Sequence, residues 1–292
     1  MRQNLVRNGT IEEFLTTGRI FLVTPTGGAG ERWVNAMYPP ATLFDSVQEA
    51  LDETVDGRGD IVYIAPGTYN EEVIVSTSNV SLIGLTTGGF PEAIFASAGA
   101  NTPVLTIADN VRNFKAVNLG FEPSISAAAF GIEIGGRDIT FEHCKFAGDD
   151  GTAVRLRSAA GDNAARVRFL DCEFEFADRH IVAQKAPASL NNVTQVEIAR
   201  CLFHNAVTES LGRVDAAGSL QDGWIHDCTF AMQENGTEPT RYLRFNGAED
   251  RVTVADCIFG TANAASGLML VSLASRWLRN WTEAGGSAAH PS

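Results

Sequence analysis

The sequence predicts an all-β protein, a right-handed, single-stranded parallel β-helix of about seven to eight coils, and three observations lead to this prediction. All five cysteines fall in one repeated pattern, at spacings of 28, 29, 27 and 29 residues. Each cysteine has an apolar residue three positions before it and a phenylalanine two positions after it. The apolar residues alternate on either side of a two-residue break, which is typical of two short strands joined by a sharp corner. One such coil cannot bury its apolar face alone, so we expect the coils to stack and pair their strands in parallel.

The cysteines and phenylalanines of the repeat are predicted to form two inward stacks. The cysteines are Cys144, Cys172, Cys201, Cys228 and Cys257, and the phenylalanines are Phe146, Phe174, Phe203, Phe230 and Phe259. The sequence contains no closely spaced cysteine pair of the kind that binds zinc, and the cysteine count is odd. We therefore interpret the thiols as reduced, small core residues.

The corner of each coil is predicted at the residue before the cysteine. Asp and His, which adopt the left-handed backbone conformation more readily than most residues, occupy four of the five positions. The five corner residues are His143, Asp171, Arg200, Asp227 and Asp256.

The repeat divides the chain into three regions. Residues 1–43 precede it and are predicted as an N-terminal arm with a strand at 20–24. Residues 44–267 form the β-helix domain, and residues 268–292 form a C-terminal cap and a flexible tail. Within the last region, 276–281 is predicted either as a terminal helix or as an aromatic plug against the last coil.

A short capping helix is predicted at 45–53, just before the first coil. Asp45 or Ser46 is its N-cap, and Val47, Ala50 and Leu51 share one face. An open β-helix exposes an apolar cross-section at each end, so this helix is expected to act as a lid.

A second apolar strand accompanies each repeat, and its outward residues are the candidate site. In chain order they are Glu133, Arg155, Val182, Asp215 and Arg244, with Asp215 on a strand predicted over 213–216. We favour cross-strand ion pairs, such as Glu133 with Arg155, over catalysis by Glu133, Asp215, Arg155 and Arg244. Glycoside hydrolysis needs two carboxylates ~5–9.5 Å apart. Glu133 and Asp215 are three rungs apart, or about 14 Å at ~4.8 Å per rung.

Composition argues against several classes of partner. A net charge of −13 and a pI near 4.8 do not suit a nucleic-acid or anionic-membrane surface. No apolar run is long enough to span a bilayer, and the first residues lack the apolar core of a signal peptide. The local acid groups, Asp149–Asp150 and the set Glu173, Glu175 and Asp178, lack the pattern of a calcium site. We expect no metal and no cofactor.

The stretch 57–85 resembles the opening of many pectin lyase-like right-handed β-helix proteins. Their pattern is an "xxAL" helix, a valine-rich strand, a Pro-Gly-x-Tyr turn, a second strand and an "Asn-Val-x-Leu-x-Gly" strand. The matching segments here are 49–51, 61–64, 66–69, 73–75 and 79–84. The resemblance covers about residues 20–260. It implies the fold, and it leaves open pectate and pectin lyases, pectin methylesterases, polygalacturonases, phage tailspike glycanases and non-catalytic virion proteins.

Among these functions we favour a non-catalytic structural protein of a bacteriophage particle, of the capsid decoration, cement or spike type. The chain is short for the fold, lacks a recognisable secretion signal, and has five unpaired cysteines suited to a reducing cytosol. The resemblance then implies a homotrimer that is assembled in the host cytoplasm and contacts capsid or tail proteins of the virion. The alternative is a carbohydrate-active enzyme (tailspike depolymerase, polysaccharide lyase or esterase) or a carbohydrate-binding module, with a cell-surface polysaccharide as partner. That alternative requires a groove lined by carboxylates and exposed aromatic residues.

Overall fold

The chain folds into a parallel β-solenoid with almost no helix. The computed structural model describes residues 18–25, 43–86, 88, 91–126, 129–158, 164–185, 192–213, 220–232, 239–245, 250–260, 269–271 and 275–282. In these ranges every strand pair is parallel, and the strands form three sheets of 12, 9 and 8 strands. Each coil contributes in turn to the first, the second and the third sheet.

The first sheet runs the full length of the solenoid. Its strands are β1 (Ile20–Val23), β2 (Leu43–Phe44), β3 (Asp60–Ile64), β6 (Val80–Gly84), β9 (Arg112–Val117), β12 (Arg137–Glu142), β15 (Ala165–Leu170), β18 (Val193–Thr194), β19 (Glu197–Ala199), β22 (Leu220–His226), β25 (Arg251–Ala255) and β28 (Arg276–Leu278).

The other two sheets close the coil. The second contains β4 (Gly67–Asn70), β7 (Ala93–Ala96), β10 (Leu119–Glu122), β13 (Lys145–Ala147), β16 (Glu173–Glu175), β20 (Leu202–Phe203), β23 (Thr229–Phe230), β26 (Ile258–Phe259) and β29 (Trp281–Thr282). The third contains β5 (Val73–Val75), β8 (Leu105–Ile107), β11 (Phe130–Ile134), β14 (Thr152–Ser158), β17 (Ala177–Lys185), β21 (Ala206–Arg213), β24 (Arg241–Phe245) and β27 (Met269–Val271).

This architecture confirms the predicted right-handed parallel β-helix. The solenoid has about six turns, slightly fewer than the seven to eight coils predicted. The corners between the first and second sheets lie where the repeat places them. All five predicted corner residues have φ between 53° and 55°, in the left-handed region. Asn118 one coil earlier and Arg279 in the last coil adopt the same conformation.

Both inward stacks are present. The five cysteines are free and at most 3% exposed. The phenyl rings stack nearly parallel from coil to coil, with centroid distances of 4.6 Å for Phe146–Phe174 and 4.7 Å for Phe174–Phe203. The same stacking continues through Phe230 to Phe259 at 4.8 and 4.9 Å. A continuous aromatic column therefore runs along the core.

The N-terminal lid helix is confirmed. Helix α1 (Val47–Asp52) has Ser46 as N-cap, whose hydroxyl accepts a hydrogen bond from the Glu49 backbone N–H, and it buries Val47, Ala50 and Leu51. Glu71 lies at the same end, and its carboxylate accepts hydrogen bonds from the backbone N–H groups of residues 47 and 48 at 2.8 and 3.0 Å. These bonds satisfy donors that have no partner within the helix.

At the other end the chain continues the sheets instead of forming a helix. Trp277 on β28 pairs with Val254 and stacks on Phe259 at 5.4 Å, so it covers the last phenylalanine of the core. Asn280 takes the cysteine position of this coil: its side-chain oxygen accepts from the Cys257 backbone N–H at 2.9 Å. The segment 276–281 was predicted as a terminal helix or as an aromatic plug against the last coil. The position of Trp277 matches the aromatic plug.

One strand of the third sheet lies earlier in the chain than predicted. Strand β21 ends at Arg213, and its residue Leu211 pairs with Ile181 and with Leu243. The prediction of a strand over 213–216 is therefore wrong in register. The pairing of β17 with β21 contains an irregularity between Ala177 and Arg179, which shifts the alignment.

Candidate functional site

The predicted ion pair on the outer face of the third sheet is confirmed. Glu133 and Arg155 are directly paired on β11 and β14, and the Arg155 guanidinium donates to the Glu133 carboxylate. Arg155 also donates to the Gln184 amide oxygen at 2.8 Å and lies 3.9 Å from the centroid of the Phe130 ring. These contacts engage both terminal nitrogens of the guanidinium and fix its position, so Glu133 and Arg155 act as a cross-strand clamp.

The register of β17 and β21 shows that the predicted ladder is wrong at Asp215. Gly212, not Asp215, is the residue paired with Val182. Asp215 lies outside the described residues. A Cβ atom at position 212 would lie 2.5 Å from a carboxylate oxygen of Glu209, so a glycine leaves the space that this side chain occupies. Arg244 contacts Glu209, with Nε 2.7 Å from Oε1.

Glu209 is a buried carboxylate that the sequence analysis missed. It is fully buried, and Arg241 and Arg179 approach it at 3.6 and 4.0 Å, in addition to Arg244. Burial raises the pKa of Glu209, against the opposing effect of Arg244, Arg179 and Arg241. The three guanidinium groups come from β17 and β24, the neighbours of β21 in the sheet, so the cluster links three coils.

A polar depression of about 450 Å³ lies on the outer face of the first sheet. Its lining combines guanidinium, amide, hydroxyl and carboxylate groups from four consecutive coils. They belong to Asn113, Asp138, Thr140, Arg166, Arg168, Gln195 and Glu197.

The edge of this depression is built from a second row of left-handed residues, where each coil enters the first sheet. Asp138, Arg166 and Gln195 have φ values of 59°, 52° and 55°. In this conformation their side chains project outward, and Arg166 forms a two-pronged ion pair with Asp138 at 2.5 and 2.7 Å. Backbone conformation therefore places these polar groups at the rim.

An exposed indole ring lies next to the depression. Trp224 on β22 is paired with Glu197, is 49% exposed, and stacks on the His226 ring at a centroid distance of 3.9 Å. The two His226 nitrogens face carboxylates, Nδ1 at 2.7 Å from Asp227 and Nε2 at 3.4 Å from Glu197. The other Glu197 oxygen accepts from Arg168 at 2.7 Å. An aromatic face beside convergent polar groups is an arrangement suited to binding a sugar ring.

The protonation of the two carboxylates in the depression favours binding over acid catalysis. The Arg166 guanidinium lowers the pKa of Asp138. Burial alone would raise the pKa of Glu197, but Arg168 and His226 bring it below the usual value. The two carboxylates belong to coils two rungs apart, about 9–10 Å at ~4.8 Å per rung. A general acid needs a raised pKa, whereas both groups are held ionised.

This face could not be located from the cysteine repeat, because its residues do not occupy a single position of the repeat. They come from the left-handed row and from the outward positions of the first sheet, which the cysteine pattern leaves undefined. The recurrence of Asn, Asp and Gln at Asn113, Asp138, Gln195 and Asp222, each with positive φ, is the signal that could have located the row.

Comparison with solved structures identifies the fold. The chain is 13% identical to the pectin methylesterase of Aspergillus niger over 92% of this chain and 87% of that one, with a TM-score of 0.57. It is 11% identical to the pectate lyase Pel9A, covering 92% and 77% of the two chains, with a TM-score of 0.59. It is 16% identical to a tailspike protein of Acinetobacter baumannii bacteriophage Fri1, a capsular polysaccharide depolymerase, covering 90% and 53%, with a TM-score of 0.56. The chain therefore shares the right-handed parallel β-helix fold of these three proteins.

No family model matches the sequence, and no curated protein matches it either. Within the described residues there is no helix that is long and apolar enough to cross a membrane.

Proposed function

We propose that this chain is a non-catalytic structural protein of a bacteriophage particle, of the capsid decoration, cement or spike type. The observation that carries the proposal is a set of arginine–aspartate clamps joining adjacent coils along both edges of the first sheet. Arg200 donates to both Asp171 oxygens at 2.7 Å, and Arg279 donates to both Asp256 oxygens at 2.7 and 2.6 Å. Two parallel hydrogen bonds to one carboxylate fix geometry as well as charge. The outward acids therefore serve to hold coils together.

The interior supports the same role. The phenylalanine column is unbroken over five coils, and each ring lies within 4.9 Å of the next. Stacked coils that are clamped outside and filled with rings inside resist bending, which suits an element that bears load on a particle.

One of the similar solved structures is a phage protein, and it supports the proposed location on a virion. The Fri1 protein is a tailspike, which shows that this fold is used on a phage particle. We extend this to the present chain as a homotrimer, assembled in the host cytoplasm, whose partners are capsid or tail proteins.

Mass spectrometry of density-gradient-purified particles tests the proposal. We expect the chain to be present at a fixed stoichiometry to the major capsid protein. We also expect that particles from a deletion strain lose infectivity or genome on heating sooner than wild-type particles do. Absence of the chain from purified particles, together with unchanged heat stability of the deletion strain, would contradict it.

A second candidate function, saccharide binding or processing, is favoured by Trp224 beside the polar depression. The exposed indole and the ionised carboxylates Asp138 and Glu197 meet the requirement for a groove with carboxylates and an exposed aromatic residue. In this case a cell-surface polysaccharide would lie along the outer face of the first sheet.

Binding and turnover assays on capsular polysaccharide and polygalacturonate separate the two candidates. Binding that Trp224→Ala abolishes, with no product released, indicates a binding module. Product release that Glu197→Gln abolishes would establish an enzyme, and loss of turnover in Glu133→Gln would place its site on the third sheet. Val55→Ala is the control, since Val55 is as exposed as Trp224 but lies on none of the three sheets.

A further inference from the structure

Two carboxylates and an imidazole converge on the outer face of the second sheet. Glu173 and Glu175 are alternate, outward residues of β16, and His204 follows β20 on the next coil. His204 Nε2 lies 2.9 Å from Glu173 Oε1 and 3.6 Å from Glu175 Oε2. One ligand atom from each residue lies within 4.8 Å of the other two. These spacings are close to the edges of a tetrahedron around an ion with ~2.0–2.2 Å bonds to oxygen and nitrogen.

The neighbours of the cluster orient its ligands. The side chain of Asn205, a residue that is 7% exposed, lies 3.1 Å from His204 Nδ1, so the ring is held by the nitrogen that faces away from the carboxylates. The two ends of an amide are interchangeable by rotation, so Asn205 can accept from Nδ1–H and leave Nε2 with a free lone pair. A buried polar partner that fixes the outer ring nitrogen is the usual support of a metal-bound histidine.

The cluster already contacts one cation, the ammonium group of Lys145. Its ammonium lies 2.6 Å from Glu175 Oε1 and leaves Oε2 directed at His204. Because only one carboxylate oxygen is used by Lys145, the other oxygen, Glu173 and Nε2 remain available to one ion.

We propose that Glu173, Glu175 and His204 form a binding site for a transition-metal dication of the Zn²⁺ class. A nitrogen ligand with two carboxylates suits Zn²⁺ and disfavours Ca²⁺, which takes six to eight oxygen ligands. The ion links β16 to the segment after β20, and so staples two adjacent coils. This site is absent from the sequence-based expectation, because His204 meets the glutamates only across a coil boundary.

Calorimetric titration of tag-free protein with ZnCl2 tests the site. We expect one binding event, a rise in unfolding temperature on adding Zn²⁺, and reversal by a chelator. Glu173→Gln and His204→Gln are each expected to weaken binding by more than about tenfold. His143→Gln, which alters an exposed histidine on the corner of the preceding coil, is the matched control and should bind as the wild type does.

A further variant distinguishes a metal site from a simple ion-pair network. Lys145→Met removes the competing cation, so we expect tighter Zn²⁺ binding and a larger rise in unfolding temperature. Co²⁺ bound in place of Zn²⁺ should show d–d absorption without the thiolate charge-transfer bands that cysteine ligands produce. Three results would each overturn the proposal. They are no binding in either the wild type or Lys145→Met, binding that His204→Gln leaves unchanged, and thiolate bands with Co²⁺.

Discussion

At the residue scale, His180 is a titratable group placed inside the coil. It is fully buried on β17, with its ring 6.1 Å from the Phe174 ring and 5.7 Å from the Phe203 ring. Burial lowers the pKa of His180 to about 3. The folded protein therefore holds a neutral imidazole, whereas the unfolded chain binds a proton below about pH 6.5.

This difference predicts a loss of stability in acid. Since the pKa of His180 is lower in the folded state, its effect is absent above pH 6.5 and grows as the pH falls toward 3. Between pH 7 and pH 5 the linked loss is about 2 kcal/mol in the free energy of unfolding. His180→Phe should remove this part of the pH dependence, as measured by urea unfolding at both pH values. The same dependence in His180→Phe and wild type would show that other groups cause it; His143→Gln is the exposed control.

Glu209 supports a second residue-scale prediction. Glu209→Gln keeps the shape of the side chain but leaves three guanidinium groups, which are partly exposed, around an uncharged amide, so we expect a loss of about 1–3 kcal/mol in the free energy of unfolding. Asp222→Asn is the matched control, because Asp222 pairs with Arg251 on the surface, with side chains that are half exposed or more. Such exposed pairs contribute about 0–1 kcal/mol. Equal losses in the two variants would contradict the prediction.

At the element scale, the corner residue positions both the cysteine stack and the phenylalanine stack. The left-handed corner residue turns the chain so that the cysteine directly after it and the phenylalanine on the second sheet both point inward. The buried thiols make close contacts with main-chain carbonyls, such as Cys201 Sγ at 3.3 Å from the Ala199 oxygen. Burial raises the pKa of the Cys172 and Cys201 thiols well above the usual value.

All five thiols are at most 3% exposed, so a reagent cannot reach them, and they are predicted to be unreactive in the native protein. Treatment with a thiol reagent at neutral pH should modify none of the five cysteines until denaturant is added, and then all five. The count of modified thiols by mass spectrometry checks this. Fast labelling of one cysteine in the absence of denaturant would contradict its assignment to the core.

The aromatic column leads to a further prediction at this scale. Phe174 stacks on a ring above and a ring below, at 4.6 and 4.7 Å. Phe174→Ala opens a cavity that neighbouring coils cannot fill, so we expect a loss of about 3–5 kcal/mol, and Phe174→Leu should lose less. Denaturant unfolding of the three proteins measures both. A loss below about 1 kcal/mol for the alanine variant would show that the column contributes little.

At the scale of the whole molecule, one outward column of the second sheet is unusually apolar. Leu202, Ile258 and Trp281 are 39%, 41% and 49% exposed, and the register places them in one line with Thr229 between the first two. Aligned exposed apolar side chains commonly mark an interface. This column is the surface on which we expect the proposed trimer to associate.

Sedimentation analysis tests that expectation. The wild type should sediment as a trimer, and the double variant Leu202→Glu with Ile258→Glu should shift it toward monomer, because charges introduced into an apolar contact are costly to bury. Val55→Glu, a change at an exposed apolar residue outside the column, is the control. A monomeric wild type would rule out the trimer.

Part of the candidate site could be predicted from the sequence. Glu133 and Arg155 were paired correctly because their strands lie in adjacent coils with consistent apolar alternation. Asp215 was assigned the rung that Gly212 occupies, three residues earlier in the chain, because the strand was placed too late. The irregularity at Ala177 and Arg179 alters the register by a step that no local pattern indicates.

The sequence by itself determined the coil: its length, its left-handed corners, its inward thiols and phenyl rings, and the lid helix. These features depend on residues close together in the chain, where alternation and backbone preference act directly. Only the tertiary structure decided which outward residues meet: Glu209 with three arginines, Trp224 beside Glu197, and His204 beside Glu173. Those contacts join residues about one coil apart through loops of unequal length. Stacking aligns the strands and leaves the loops free to vary, so the chemistry of the outer faces follows from register across coils.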